Sequence, residues 1–225
     1  MKGAIWTLLL ALGLQAQEPV DRLGDLLAIP YLEDGVQDES GRWTFLSHPE
    51  RTQPGRGLNC SGFLIVGCRR LLGSTFPLEV CRKDRLGDSG PGASRGRDWD
   101  YGWDLVFNLS EGSSPRVLGP GGYQAPRGSG ATLRGFPLED PESWGAVLPR
   151  MRQDRIYLAS ISRAPRGRVS HYHVGLLLKD RAGAVWFYHT LPQGCSHRIN
   201  LASEQGFQRF QAIFGRGKRI LLVEV

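Results

Sequence analysis

An α+β fold is predicted, with one buried helix packed on an antiparallel sheet. Three features of the sequence predict it: an apolar helical run from Cys60 to Leu72, several short strand-like runs crowded into the last third, and a four-residue turn joining two of them. The chain has 225 residues, of which 40% are hydrophobic and 22% charged, so collagen-like, coiled-coil and wholly disordered chains are excluded. Its 30 glycines and 14 prolines predict short elements and long loops around a single core. The 28 Lys and Arg outnumber the 22 Asp and Glu, giving a formal charge of +6. The basic residues are interspersed with acidic ones and form no run, which argues against a nucleic-acid partner and suits loose attraction to anionic surfaces.

Taken in chain order, residues 1–16 read as a secretory signal. Lys2 supplies the positive start, Ala4 to Leu14 the apolar stretch, and Leu14-Gln15-Ala16 a cleavage site before Gln17. The stretch is too short to span a bilayer, and no later segment reaches the roughly 20 apolar residues a membrane helix needs. The expected product is exported, periplasmic or extracellular, with one domain over 17–225. Residues 20–29 carry a short helical pattern that Pro30 ends, and 32–59 read as polar, turn-rich loop.

The run Cys60-Ser61-Gly62-Phe63-Leu64-Ile65-Val66-Gly67-Cys68-Arg69-Arg70-Leu71-Leu72 is apolar all round, as a core helix is. Asn59 suits its N-cap, Arg69 and Arg70 complement the dipole of its last turn, and Gly73 suits the residue after it. Residues 82–150 form an elaborated insertion too long for an ordinary connection. Inside it, Trp99 to Asp104 gathers aromatic and acidic side chains before an expected strand at Leu105 to Leu109. That cluster, Trp103 included, reads either as a ligand-contacting platform or as a loop anchored by its tryptophans. Strands are expected at Arg155 to Ser162, His171 to Lys179, Val185 to Thr190 and Arg219 to Val225, with a helix at Ser203 to Phe214. Asp180-Arg181-Ala182-Gly183 makes the second and third of these strands a hairpin.

Cysteine at the first turn of a helix is chemically distinctive, because free backbone N–H groups and the helix dipole favour a thiolate. A nucleophilic thiol also needs an imidazole to take its proton and a third group to orient that imidazole. The hairpin supplies both: centred on Arg181, it sets His173 nearly opposite His189, and the two share a face if no bulge intervenes. His171, two residues from His173, is an alternative partner. His48 and His197 read as surface residues. A disulfide between two of Cys68, Cys81 and Cys195 is compatible with export, and the spacings contain no zinc pattern.

The segments Asn59-Cys60-Ser61-Gly62-Phe63, His173-Val174-Gly175 and Phe187-Tyr188-His189 resemble, in order and type, the signature of the NlpC/P60 family of papain-like cysteine peptidases. Pro30-Tyr31 upstream and the closing strand from Arg219 are similar to family features as well. The likeness covers Leu23 to Val80 and Gln153 to Val225. Asn59 stands where the family usually has aspartate, and the Cys-to-His distance is stretched by the insertion. The resemblance implies a papain-like fold with Cys60 as nucleophile, His173 as general base and then acid, and His189 orienting it. It implies that the Cys60 backbone N–H contributes to the oxyanion hole and that Tyr31 lines the site; Ser61 beside the thiol and Trp103 of the unmatched insertion are the further candidate lining residues. It further implies hydrolysis of an amide bond in peptidoglycan stem peptides through an acyl-enzyme; no cofactor or metal is expected, and the chain is expected to be a monomer. An acyltransferase or amidase on another substrate, and a non-catalytic wall- or protein-binding module on the same scaffold, are the alternatives.

Overall fold

The computed structural model describes residues 18–85, 101–127, 133–163 and 170–225. The signal segment expected at 1–16 and Trp99 lie outside the described residues. After a 3-10 helix at Asp21–Leu26, the elements in chain order are strands β1 (Gly35–Gln37) and β2 (Trp43–Phe45), helices α1 (Cys60–Leu72), α2 (Leu78–Cys81) and α3 (Tyr101–Leu109), and strands β3 (Arg116–Gly119), β4 (Gly122–Gln124) and β5 (Phe136–Pro137). Helix α4 (Pro141–Val147), strands β6 (Ile156–Arg163), β7 (Ser170–Lys179), β8 (Val185–Thr190) and β9 (Ser196–Asn200), helix α5 (Glu204–Phe214) and strand β10 (Lys218–Glu224) follow. The main sheet runs β4-β3-β10-β6-β7-β8-β9, with β5 also on β10, and every pairing is antiparallel. The α+β class and the antiparallel sheet are as the sequence predicts.

Two cores sandwich the sheet. On one face α1, α3 and the 3-10 helix bury Leu158, Val174, Leu176, Tyr188 and Leu221; on the other, α4 and α5 bury Tyr157, Ile161, Leu177, Phe187 and Ile220. Alternation along each strand feeds both, which is why the strand runs read as nearly continuous apolar stretches.

Helix α1 begins and ends where its caps dictate. The Asn59 side chain accepts from the Gly62 N–H at 2.7 Å, and Gly73 closes the helix in the left-handed conformation at φ 69°. The segment expected as loop at 32–59 contains the β1–β2 hairpin, and β1 crosses the start of α1. There the Gly35 carbonyl oxygen lies 2.0 Å from where a Cβ on Gly62 would stand, so only glycine admits the crossing.

The strand expected at Leu105 to Leu109 is instead the second half of helix α3. Every residue from Gly102 to Leu109 is buried, and within that apolar run only Asp104 and Asn108, four residues apart, carry the helical period. The region 82–150 also supplies α4, β3, β4 and β5, and thus widens the same sheet. Strand β9 and helix α4 have no counterpart in the sequence reading. Helix α4 starts from a local cap, the Asp140 side chain accepting from the Glu142 and Ser143 N–H groups at 3.3 Å, whereas β9 starts from a long-range anchor, the Ser196 hydroxyl donating to the Leu26 carbonyl. All four cysteines are free thiols, so no bridge joins Cys68, Cys81 or Cys195 in this structure.

Candidate functional site

Cys60 is the first residue of α1 and is partly accessible. Around its sulfur stand Tyr31 and Tyr101, whose ionisation it influences, and the Ser61 hydroxyl at 4.0 Å. Backbone N–H groups of Val174, Ser61 and Cys60 itself approach the sulfur and favour its thiolate. Burial outweighs them and pushes the Cys60 thiol above its ordinary value. The depressed thiol pKa expected of a helix N-terminus is therefore not the balance struck here, since desolvation of the charge exceeds what the backbone donors return.

Val174 ties Cys60 to the histidines. Its N–H favours the Cys60 thiolate while its side chain enters the α1 core, and the residue before it is His173. The His173 ring leans to the other face of β7, 5.0 Å from the Phe214 ring. His173 Nε2 lies 3.2 Å from His189 Nδ1, within a hydrogen bond, and the two rings meet edge to face. His173 Nδ1 makes no hydrogen bond among the described residues. No hydrogen bond joins the Cys60 sulfur to an imidazole among the described residues.

The hairpin register differs from the expected one. Leu176 pairs Tyr188 and Lys179 pairs Val185 around a five-residue turn, so the centre is Ala182 rather than Arg181. Leu176↔Tyr188 is the last pair. His173 and His189 thus meet diagonally, beyond the ladder, where a side chain from one strand can reach the other. Gly175 makes room: a Cβ there would stand 2.6 Å from the Phe187 ring, which lies between the strands next to both histidines.

A bulge moves His171 away from His173. Ile161 pairs His173 but Ser162 pairs His171, so Tyr172 is the extra residue and the alternation breaks. His171 turns to the α3 side, where its Nδ1 lies 2.2 Å from the Cβ position of Gly102 and its ring stands edge-on to Tyr101. The expectation that His171 shares the face of His173 fails for this reason. His197, expected at the surface, is half-buried with its ring 4.2 Å from that of His189, whereas His48 is exposed beside Glu50. Burial, then the neighbouring His171 and His197, holds His173 down to about 3, and burial together with Arg163 holds His171 down to about 4. His189 is lowered too, by burial first and then by His173, His197 and Arg209. His171, His173 and His189 are therefore neutral near pH 7.

Of the residues expected to line the site, Tyr31 and Ser61 stand beside Cys60. Trp103 is a core residue of α3, 3% exposed, with its ring 4.6 Å from Phe107. Its remaining surface lines a recess with Arg85, Ser110 and Pro126. The sequence reading did not single out Tyr101 as a neighbour of the thiol; its place follows from α3 being a helix whose first turn abuts Ser61. Among the described residues no group of three or more His, Cys, Asp or Glu is placed to hold a metal ion, and no helix is long and apolar enough to cross a membrane. Compared with protein-family models, curated proteins and solved structures, the chain matches none, and the site is read from its own geometry.

Proposed function

We propose that the chain is an exported cysteine hydrolase of the papain-like kind, cutting an amide bond through an acyl-enzyme, with peptidoglycan stem peptides as its substrate. One observation carries the reading: a helix N-terminus holds a thiol whose thiolate the Val174 N–H favours, and the residue before Val174, His173, has its Nε2 engaged by His189.

For Nδ1 of His173 to accept the thiol proton, Nε2 must carry its hydrogen and donate it to His189 Nδ1, which is the role of an orienting residue. Thiol and imidazole rest neutral, because burial raises the one and lowers the other. Proton transfer then accompanies attack. The sulfur bonds to the amide carbonyl carbon while its proton passes to Nδ1, and the Cys60 N–H stabilises the oxyanion. Collapse expels the amine with the proton from Nδ1. Water, deprotonated by the same nitrogen, then releases the acid and restores the thiol.

The burial that raises the thiol also favours a second reading, a non-catalytic binding module on the same scaffold. Incubation of the protein and a Cys60→Ala control with purified peptidoglycan, read by mass spectrometry, separates the two. New fragments that vanish in the control support hydrolysis and name the bond. Wall binding that survives Cys60→Ala without any fragment supports the module.

A further inference from the structure

A second feature lies next to the histidines, at the ends of β10, β6 and β7. Lys218 and Arg163 are direct Cα partners across β10 and β6. Like charges so placed destabilise a sheet unless something offsets them. Both cations lean on the Tyr172 ring, with Lys218 Nζ 4.3 Å and the Arg163 guanidinium carbon 5.6 Å from its centroid. Neither forms an ion pair among the described residues. Glu139 is the acid that acts on Lys218, and its Oε1 accepts from the Gly217 N–H at 3.2 Å. Lys218 Nζ donates to the Phe214 carbonyl, yet Arg163 and burial together disfavour its charge. Tyr172, 37% exposed, is the bulged residue between His171 and His173.

We infer that Arg163, Lys218 and Tyr172 form a subsite for a carboxylate of the acyl substrate, beside the His173–His189 pair. A carboxylate set between the two cations offsets their repulsion and accepts from both, and the guanidinium offers paired donors for its two oxygens. The exposed tyrosine ring supplies an apolar floor for the carbon chain that bears it. The subsite adjoins the reacting groups through one residue on each side: Tyr172 precedes His173, and Phe214, whose carbonyl holds Lys218, places its ring 5.0 Å from that of His173. The bulge thus has two effects, turning His171 away and carrying Tyr172 to the cations. This deepens the proposed function by making the substrate an acidic acyl chain, and rests on that reading for the role of Cys60.

Two measurements test it, one independent of the thiol. Succinate titrated into the Cys60→Ala protein, followed by calorimetry, is expected to bind, and binding is expected to weaken about tenfold or more in Cys60→Ala carrying Arg163→Gln or Lys218→Gln, with neutral succinamide binding in none. In the protein with Cys60 intact, the rate of Cys60 alkylation by iodoacetate relative to iodoacetamide, resolved by peptide mapping, is expected to fall about tenfold on either substitution. It is expected to fall likewise at about 1 M salt, where charges are screened beyond about 3 Å. Absence of succinate binding, or binding indifferent to both substitutions, overturns the subsite whatever Cys60 does. Binding that needs both cations while Cys60 stays inert to both reagents keeps the subsite and rejects the thiol chemistry.

Discussion

Acid destabilisation follows from the buried imidazoles and can be worked from the structure. His173 and His171 are held down to about 3 and about 4, and His189 is lowered too, whereas an unfolded histidine titrates near its ordinary 6.5. Below 6.5 the unfolded chain binds protons that the fold refuses. Stability is therefore complete above that value and is lost as pH falls toward the folded pKa values. Between about pH 7 and about pH 5.5 each such histidine costs about 1.3 kcal/mol, so the three together cost about 4 kcal/mol, trimmed to about 3 because His171 is only partly buried. Carboxylates stay ionised in both states across this window, which isolates the histidines. About 3 kcal/mol is a large share of the 5–15 kcal/mol typical of a domain and lowers the melting temperature by about 10 °C. Urea midpoints at the two pH values measure the loss, and His173→Gln is expected to reduce it by about a third. Coincident midpoints, or an unchanged difference in His173→Gln, would refute the neutral buried cluster.

Gly62→Ala drives a Cβ into the Gly35 carbonyl at 2.0 Å and is expected to cost about 3 kcal/mol or more in urea unfolding, against the small gain that alanine gives an ordinary helix position. Asn59→Ala removes the cap on the Gly62 N–H and is expected to lower stability by about 1 kcal/mol, while Asn59→Asp retains it. Glu224 is 3% exposed, accepts from the Tyr157 hydroxyl at 2.8 Å and from Arg116 Nε at 3.0 Å, and Glu224→Leu is expected to cost about 2 kcal/mol in the same assay. His173→Gln is expected to lower amide hydrolysis by about 10²–10⁴-fold at a pH where circular dichroism shows the variant still folded; an equal loss in His171→Gln would move the base to the other face of β7.

What could be read in the sequence was local. The caps of α1, the four strand runs and α5 each announce themselves within a dozen residues, through Asn59 and Gly73, through β-branched and aromatic runs, and through Ser203, whose side chain accepts from the Gly206 N–H. What could not be read depended on pairing. One residue in the hairpin centre decides whether His173 and His189 sit opposite or diagonal, and one bulged residue decides which face His171 occupies. Neither signal exists in β7 alone, because Tyr172 is as good a strand residue as its neighbours and becomes a bulge only against Ile161 and Ser162. Helix α3 escaped for a different reason: its one helical signal is the pair Asp104 and Asn108, four residues apart and both buried, in a run that is otherwise apolar from Trp103 to Leu109.

The two glycines of the quoted segments show how pairing and chemistry are joined here. Gly62 lets the Gly35 carbonyl lie on the first turn of α1, which fixes the helix start, and with it Cys60, against β1. Gly175 lets Phe187 fold over β7, beside both histidines where the β7–β8 ladder has ended. Neither glycine touches the sulfur or an imidazole nitrogen, so a side chain at either position acts on the site through what it displaces, the Gly35 backbone in one case and the Phe187 ring in the other. Gly175→Ala is accordingly expected to displace Phe187 and break the His173–His189 hydrogen bond, and the imidazole proton signals of the two rings, followed by NMR, report it. A variant that folds with both signals unchanged would mean that the histidines pair without the space Gly175 leaves, and that the glycine serves the packing of the sheet alone.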